Sequence, residues 1–224
     1  MEFLHKFHQN CKAYKGYPGN HNFYVCGGKL SPGSRLKSRY KVMEKHYPEK
    51  IKSFLDLSSC RGYFVLTASQ APSCERSLGI DINVEDVAIC KSLKKQFSLN
   101  KSQFEIMTLS DLAQNIESFG GAFQTVVLAN TYQYLYFGSD SGPGYLSHDK
   151  IFDYISRVCS DRFIYSNRSE REDCQNVTQV EAAGKLAELY NKKAILMAAS
   201  KYFDLIAENT IGKYPMLVFQ RRRN

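Results

Sequence analysis

From residue 51 onward, apolar residues fall into short runs, and between those runs they recur at helical spacing. Such alternation marks a largely parallel sheet with helices on its faces. Residues 53–57 (SFLDL) and 77–82 (SLGIDI) read as the first two strands, with a helix over 63–70 between them. The helix expected over 84–97 sets Ile89, Cys90, Leu93 and Phe97 on one face and turns Lys91, Lys94 and Lys95 away. A third strand is predicted over 104–108, followed by a short helix capped by Ser110 or Asp111. Residues 123–129 (FQTVVLA) form the most apolar and β-branched run of the chain, as a central strand buried on both faces requires. After a glycine-rich break at 138–144 come a helix over 147–158 and a fifth strand over 163–165. Residues 180–200 read as one long helix or two shorter ones, with Gly184 and Asn191 as weak points. Apolar stretches at 202–207 and 215–219 then predict an antiparallel hairpin that closes the sheet. The expected fold class is α/β, a three-layer sandwich around a mainly parallel, seven-stranded sheet.

Within this pattern one constellation carries chemistry. The first strand ends in Asp56 and runs into the turn Leu57-Ser58-Ser59-Cys60-Arg61-Gly62, and the second ends in Asp81, 25 residues beyond Asp56. Rossmann-like folds build nucleoside sites in this way, at the carboxyl edge of the sheet, with a second acid that accepts both ribose hydroxyls. The segment resembles the class I S-adenosylmethionine-dependent methyltransferases, whose first motif commonly reads acid-Leu-Gly-Cys-Gly-Thr-Gly. The resemblance extends over the strand order from about residue 52 to residue 219, including the final hairpin.

The resemblance implies a Rossmann-like sheet, S-adenosylmethionine as cofactor, and a set of site residues. Asp56 would stand near the methionine amine, Gly62 would be the last loop glycine, and residues 58–61 would surround the methionine portion. Asp81 would hold the ribose, with Ile82 beside it. Ser58 and Cys60 occupy positions where the family usually has glycine, so a left-handed backbone at either would carry strain. Thr108 stands where many relatives place an acid facing the adenine, which makes Leu109 and Ser110 the expected adenine neighbours. Asn130, at the end of the fourth strand, would face the reactive methyl. RNA ribose methyltransferases of this class usually carry an aspartate there, so Asn130 speaks against that assignment. In the segment Asn130-Thr131-Tyr132-Gln133-Tyr134-Leu135-Tyr136-Phe137, Tyr132 and Tyr134 are candidate substrate contacts, although alternating tyrosines also suit a half-buried structural segment.

Charge refines the picture. Residues 1–50 hold ten Lys/Arg against three acids, a net +7, while residues 51–220 sum to −2 and the Arg221-Arg222-Arg223 tail adds +3. Residues 1–50 therefore read as a basic, aromatic-rich extension preceding a methyltransferase-like domain over 51–224. In the family such an extension often folds over the cofactor. Basic and aromatic residues together suit RNA or another phosphate-bearing acceptor, and they equally suit a solvated face whose aromatics pack on the core. His148 is a candidate general base, with a surface or capping role as its plainer reading; Asp140 and Asp149 stand similarly. Cys60 reads either as a reactive thiol or as a small residue in a tight loop.

The seven cysteines show no CxxC pair and no zinc-ligand spacing, and read as unpaired thiols of a reducing compartment. No apolar run suits a signal peptide or a membrane span, so a cytoplasmic protein without a membrane partner is expected. The expected activity is methyl transfer to an oxygen or nitrogen acceptor, either a small molecule or RNA. A noncatalytic binding or scaffolding relative is the alternative, and oligomeric state is not legible.

Overall fold

The computed structural model describes residues 11–16, 21–174 and 177–223. Three short strands come first, β1 (Cys11–Tyr14), β2 (Phe23–Cys26) and β3 (Lys29–Pro32), forming a small antiparallel sheet in the order β1-β2-β3. Helix α1 (Ser34–Met43) and a 3-10 turn (Glu44–His46) lead into β4 (Ser53–Asp56), α2 (Tyr63–Ser69), β5 (Arg76–Asp81), α3 (Val84–Gln96) and β6 (Ser102–Ile106). Then follow α4 (Leu109–Gln114), β7 (Phe123–Ala129) and α5 (Tyr132–Phe137). A two-rung ladder of β8 (Gly138–Ser139) and β9 (Gly142–Pro143) precedes α6 (His148–Val158) and β10 (Cys159–Ser166). The chain finishes with α7 (Gln179–Ala182), α8 (Lys192–Ala199) and the hairpin β11 (Phe203–Ile211) and β12 (Tyr214–Arg221).

The main sheet runs β11-β12-β10-β7-β4-β5-β6. Its five strands from β10 to β6 are parallel, and the hairpin joins antiparallel through β12. Side chains on a strand alternate between faces, and here both faces are apolar. Leu55, Val126, Leu128, Phe163, Tyr165, Leu217 and Phe219 join one core with α4, α5, α6 and α8. Phe54, Val127, Ile164 and Val218 join the other with α1, α2, α3 and the small sheet. The run 123–129 is continuous in hydrophobicity because it fills both cores at once.

Several elements depart from the sequence expectations. Strand β6 ends at Ile106, because Thr108 leaves the ladder to cap α4: its hydroxyl accepts from Asp111 N (3.2 Å), and the Asp111 carboxylate accepts from Thr108 N (3.3 Å). The cap is thus Thr108, with Asp111 completing a reciprocal pair, and not Ser110. The stretch 180–200 breaks at both weak points, into α7, a 3-10 segment (Gly184–Leu189) and α8, with Gly184 at φ +54° and Asn191 as the α8 N-cap. The basic extension forms its own sheet and helix. Its Tyr14 stacks on Phe23 and Phe23 packs on Tyr63, so those aromatics seal the second core.

Cys11 and Cys26 are register partners across β1 and β2 and are joined as a disulfide, which corrects the expectation of seven unpaired thiols. The basic tail is held at its start, since Arg221 donates to Tyr202 O and Arg222 pairs with Asp204. Among the described residues no helix is long and apolar enough to cross a membrane.

Thr108→Ala leaves the Asp111 amide in the first turn of α4 without its acceptor. The expected loss is about 1 kcal/mol of folding stability, read as a lower urea midpoint with an unchanged slope.

Candidate active site

The parallel strands leave β4 in opposite directions, to β5 on one side and β7 on the other, and ligands of such sheets sit at the carboxyl ends beside that division. The turn after β4 is fastened to both neighbours. Leu57 N donates to Val127 O (3.0 Å) and Ser59 N donates to Ile80 O (2.9 Å). Gly62 closes the turn at φ +81° and opens α2. A Cβ there would stand 2.9 Å from Cys90 Sγ and 2.9 Å from the Phe104 ring, so only glycine fits. Gly79 is required for a different reason, because a Cβ on it would lie 2.7 Å from Ser59 Cβ.

Of the two residues replacing the family's glycines, only Cys60 adopts a left-handed backbone, at φ +46°. Its amide is held by Asp81 Oδ2 (2.8 Å), while Asp81 Oδ1 accepts from Asn83 N (3.0 Å). Asp81 therefore anchors both the loop and the start of α3, and its carboxylate retains lone pairs for further donors. Burial pushes its pKa up, against these backbone hydrogen bonds. The Cys60 thiol lies 3.6 Å from Asp86 Oδ2, and Arg61 pairs with the same carboxylate at 3.0 Å. Beyond Asp81 the strand ends expose Ile82 and Ile106, about half accessible each, as an apolar flank.

On the other side of the turn Asp56 is almost fully buried, with Oδ1 accepting from Ser58 N at 3.2 Å. Desolvation raises its pKa to about 7, because one amide and no cation compensate the charge. Ser58 Oγ reaches Ala129 O at 3.4 Å. Asn130 follows at φ +59°, its Oδ1 accepting from Arg39 Nη2 at 2.9 Å. The pocket at this edge is lined by Asp56, Ser58, Cys60 and Asn130, and is closed by Phe23 of β2 and Arg39 of α1. Sequence reasoning placed Arg39 only among the basic residues of the extension. It missed Asn167 altogether, which is buried and braces the edge by accepting from Thr131 N (2.6 Å) and Tyr132 N (2.9 Å) and donating to Leu128 O (2.7 Å). No periodicity marks a residue just past a strand end as such a brace.

Tyr132, a candidate substrate contact in the sequence, is buried in the first core and does not line the pocket. Residues 132–137 are helical, so Tyr132 and Tyr136 share the face turned into the first core, and the Tyr132 hydroxyl sits 2.7 Å from His148 Nδ1. Tyr134 lies off that face, part-buried against the same core. Leu109, the expected adenine neighbour, has its side chain buried in that core. His148, the candidate general base, does not line the pocket. It is buried away from the pocket, its Nε2 lies 3.2 Å from Leu189 O, and burial depresses its pKa to about 4. Asp140 and Asp149 are engaged elsewhere, with Gln179 and Lys201.

Neither the protein-family models nor the curated proteins match this sequence. Solved structures match its fold. The N-methyltransferase NodS from Bradyrhizobium japonicum WM9 aligns at a TM-score of 0.62 and 10% identity, over 84% of this chain and 97% of that one. The PH0226 protein from Pyrococcus horikoshii OT3 aligns at 0.60 and 18% identity, over 85% and 92%. NodS in complex with S-adenosyl-L-homocysteine aligns at 0.55 and 10% identity, over 84% and 86%. The chain has the fold of the class I S-adenosylmethionine-dependent methyltransferases.

Two outcomes follow from the geometry. Cys60→Gly relieves a left-handed non-glycine residue and is expected to raise stability by about 1 kcal/mol, seen as a higher melting temperature. For Asp56, the folded pKa lies above the unfolded one, so the native state holds a proton that the unfolded chain releases between about pH 4 and 7. Its contribution is present below that window and is lost as pH rises through it. Asp56→Asn is therefore expected to match the wild type near pH 4 and to exceed it by roughly 2–4 kcal/mol at pH 8, measured by denaturation at both pH values.

Proposed function

We propose that this chain binds S-adenosylmethionine at the carboxyl edge of β4, β5 and β7 and transfers its methyl group to an oxygen or nitrogen acceptor. The observation that carries the reading is Asp81, which holds the Cys60 amide and the α3 entrance while keeping acceptor capacity for ribose hydroxyls. The close-packed glycines bring backbone to the edge, and the exposed Ile82 beside Asp81 offers an apolar surface suited to a nucleoside. Asp56 supplies a buried, uncompensated carboxyl that a ligand's ammonium would offset. The cofactor brings a methyl already activated by its sulfonium, so the protein's task is positioning. Asp81 and the loop at 58–61 would fix the nucleoside and methionine ends, and Asn130 would face the acceptor. That NodS is an N-methyltransferase favours a nitrogen acceptor.

A second acceptor class is supported by α1. Lys37, Lys41 and Lys45 are exposed at spacing of four along the helix and its 3-10 continuation, a stripe that suits the phosphates of RNA. RNA binding through it would weaken steeply with salt, and the slope would fall by roughly one per lysine neutralised.

Calorimetric titration with S-adenosylmethionine and S-adenosylhomocysteine tests the proposal. Wild type is expected to bind at micromolar affinity, and Asp81→Ala to lose about 10- to 100-fold, the worth of charge-assisted hydrogen bonds. A folded wild type that binds neither ligand sinks the reading. Tight binding without methyl release to small-molecule or RNA acceptors would favour the noncatalytic relative.

A further inference from the structure

The three-stranded sheet has two unlike faces. Tyr14 of β1 and Phe23 and Val25 of β2 are buried against the second core, whereas Ala13, Lys29 and Ser31 on the opposite face are exposed. Cys11, Cys26 and Lys29 are register partners in one row across the sheet, and directly opposed residues share a face. The Cys11–Cys26 disulfide therefore lies on the solvent side, with both cysteines partly exposed, while Cys74, Cys90, Cys159 and Cys174 are buried thiols. That position puts its sulfurs within reach of a thiolate from solution. The bond joins positions 15 apart, and the segment between them carries Gly16, His21 and Phe23, which line the pocket. Strand β1 lies at the edge of its sheet, and its one buried side chain is Tyr14, stacked on Phe23 at 5.1 Å. A Cβ on Gly16 would collide with His21 O, so the pocket end of the closed loop is packed backbone against backbone.

We propose that Cys11–Cys26 is a thiol–disulfide exchange site that sets how firmly the extension closes the pocket, with a low-molecular-weight thiol such as glutathione as its co-reactant. Attack by one thiolate on Cys11 Sγ breaks the S–S bond and releases Cys26 as a thiolate, a leaving group favoured by its cationic register partner Lys29. A second thiolate displaces Cys11 from the mixed disulfide. Two cysteine thiols form, each taking up the proton given by a small thiol, and the two small thiols leave oxidised as one disulfide. Reduction opens the loop over residues 12–25, and β1 then keeps its place by one short ladder and one ring stack. Two strands of this length are marginal by themselves, so the wall carrying Phe23 loosens and a ligand must order it on binding.

The test incubates the oxidised full-length protein with glutathione in the absence of denaturant, alkylates the thiols formed and locates the labels by peptide mass spectrometry. Labels at Cys11 and Cys26, with Cys74, Cys90, Cys159 and Cys174 protected, are expected; a disulfide that yields only in denaturant overturns the proposal. Hydrogen exchange then compares the two redox states. Faster exchange in β1 and β2 on reduction, with the main sheet unchanged, supports the loosened wall, and identical exchange overturns it. The effect on the pocket rests on the methyltransferase reading for its ligand, S-adenosylhomocysteine. Its affinity is expected to fall about ten-fold on reduction, as for a wall closed about a tenth of the time, and to recover when wild type is reoxidised. The double variant Cys11→Ser/Cys26→Ser is expected to bind like the reduced protein in either buffer. Equal affinity of the oxidised and reduced wild type overturns the proposal. If oxidised wild type does not bind this ligand, the methyltransferase reading fails by itself, and the labelling and hydrogen exchange decide the exchange site.

Discussion

Everything at the functional edge depends on the way one turn is pulled in two directions. Leu57 and Ser59, two residues apart, give their amides to β7 and β5, the strands on opposite sides of β4. The backbone is thereby spread across the division of the sheet, and Gly62 and Gly79 must lack side chains for the turn to lie that close to its neighbours. The Asp81 carboxylate completes the arrangement by holding Cys60 in a conformation that cysteine disfavours. Strain at Cys60 is offset by a charge-assisted hydrogen bond, which explains how the loop keeps its path without the family's glycine.

Much of this edge was legible in the sequence. Asp56, Gly62 and Asp81 stand at strand ends and turn, because apolar runs with β-branched residues are a reliable guide to buried parallel strands, and an acid closing such a run is conspicuous. What failed has a shared cause. The tyrosines at 132, 134 and 136 alternate in sequence, and alternation carries no information about a helix, whose face is set by the spacing from 132 to 136. Arg39 and Asn167 act through burial and long-range hydrogen bonds, to Asn130 from 91 residues away and to Leu128 from 39, and local pattern does not encode such partners. Residues 17–20, including Tyr17, fall outside the described residues.

The two cores differ in how they use aromatic rings. The first gathers Tyr132, Tyr136 and Tyr190 around His148, with Tyr165 against Tyr132, and each hydroxyl finds a partner. Buried tyrosines satisfied in this way specify one arrangement of the loops after β7 and β10. The second core joins rings from the small sheet and α1 to rings from α2, as in the contacts of Tyr40 with Tyr63 and Phe64. His148 and Asp56 sit on these opposite sides and have opposite proton linkages. As pH falls from about 7 to 4, the buried histidine withdraws stability while the buried carboxyl returns it.

The small sheet and α1 give the pocket a divided inheritance. Its floor is made of strand termini and tight turns that cannot change without disturbing the main sheet. Its far wall is made of Phe23 and Arg39, which stand on a separate hairpin and helix docked through ring contacts. Selection can therefore rewrite that wall, hairpin and helix separately, while the turns beneath it are held constant by the geometry of the fold.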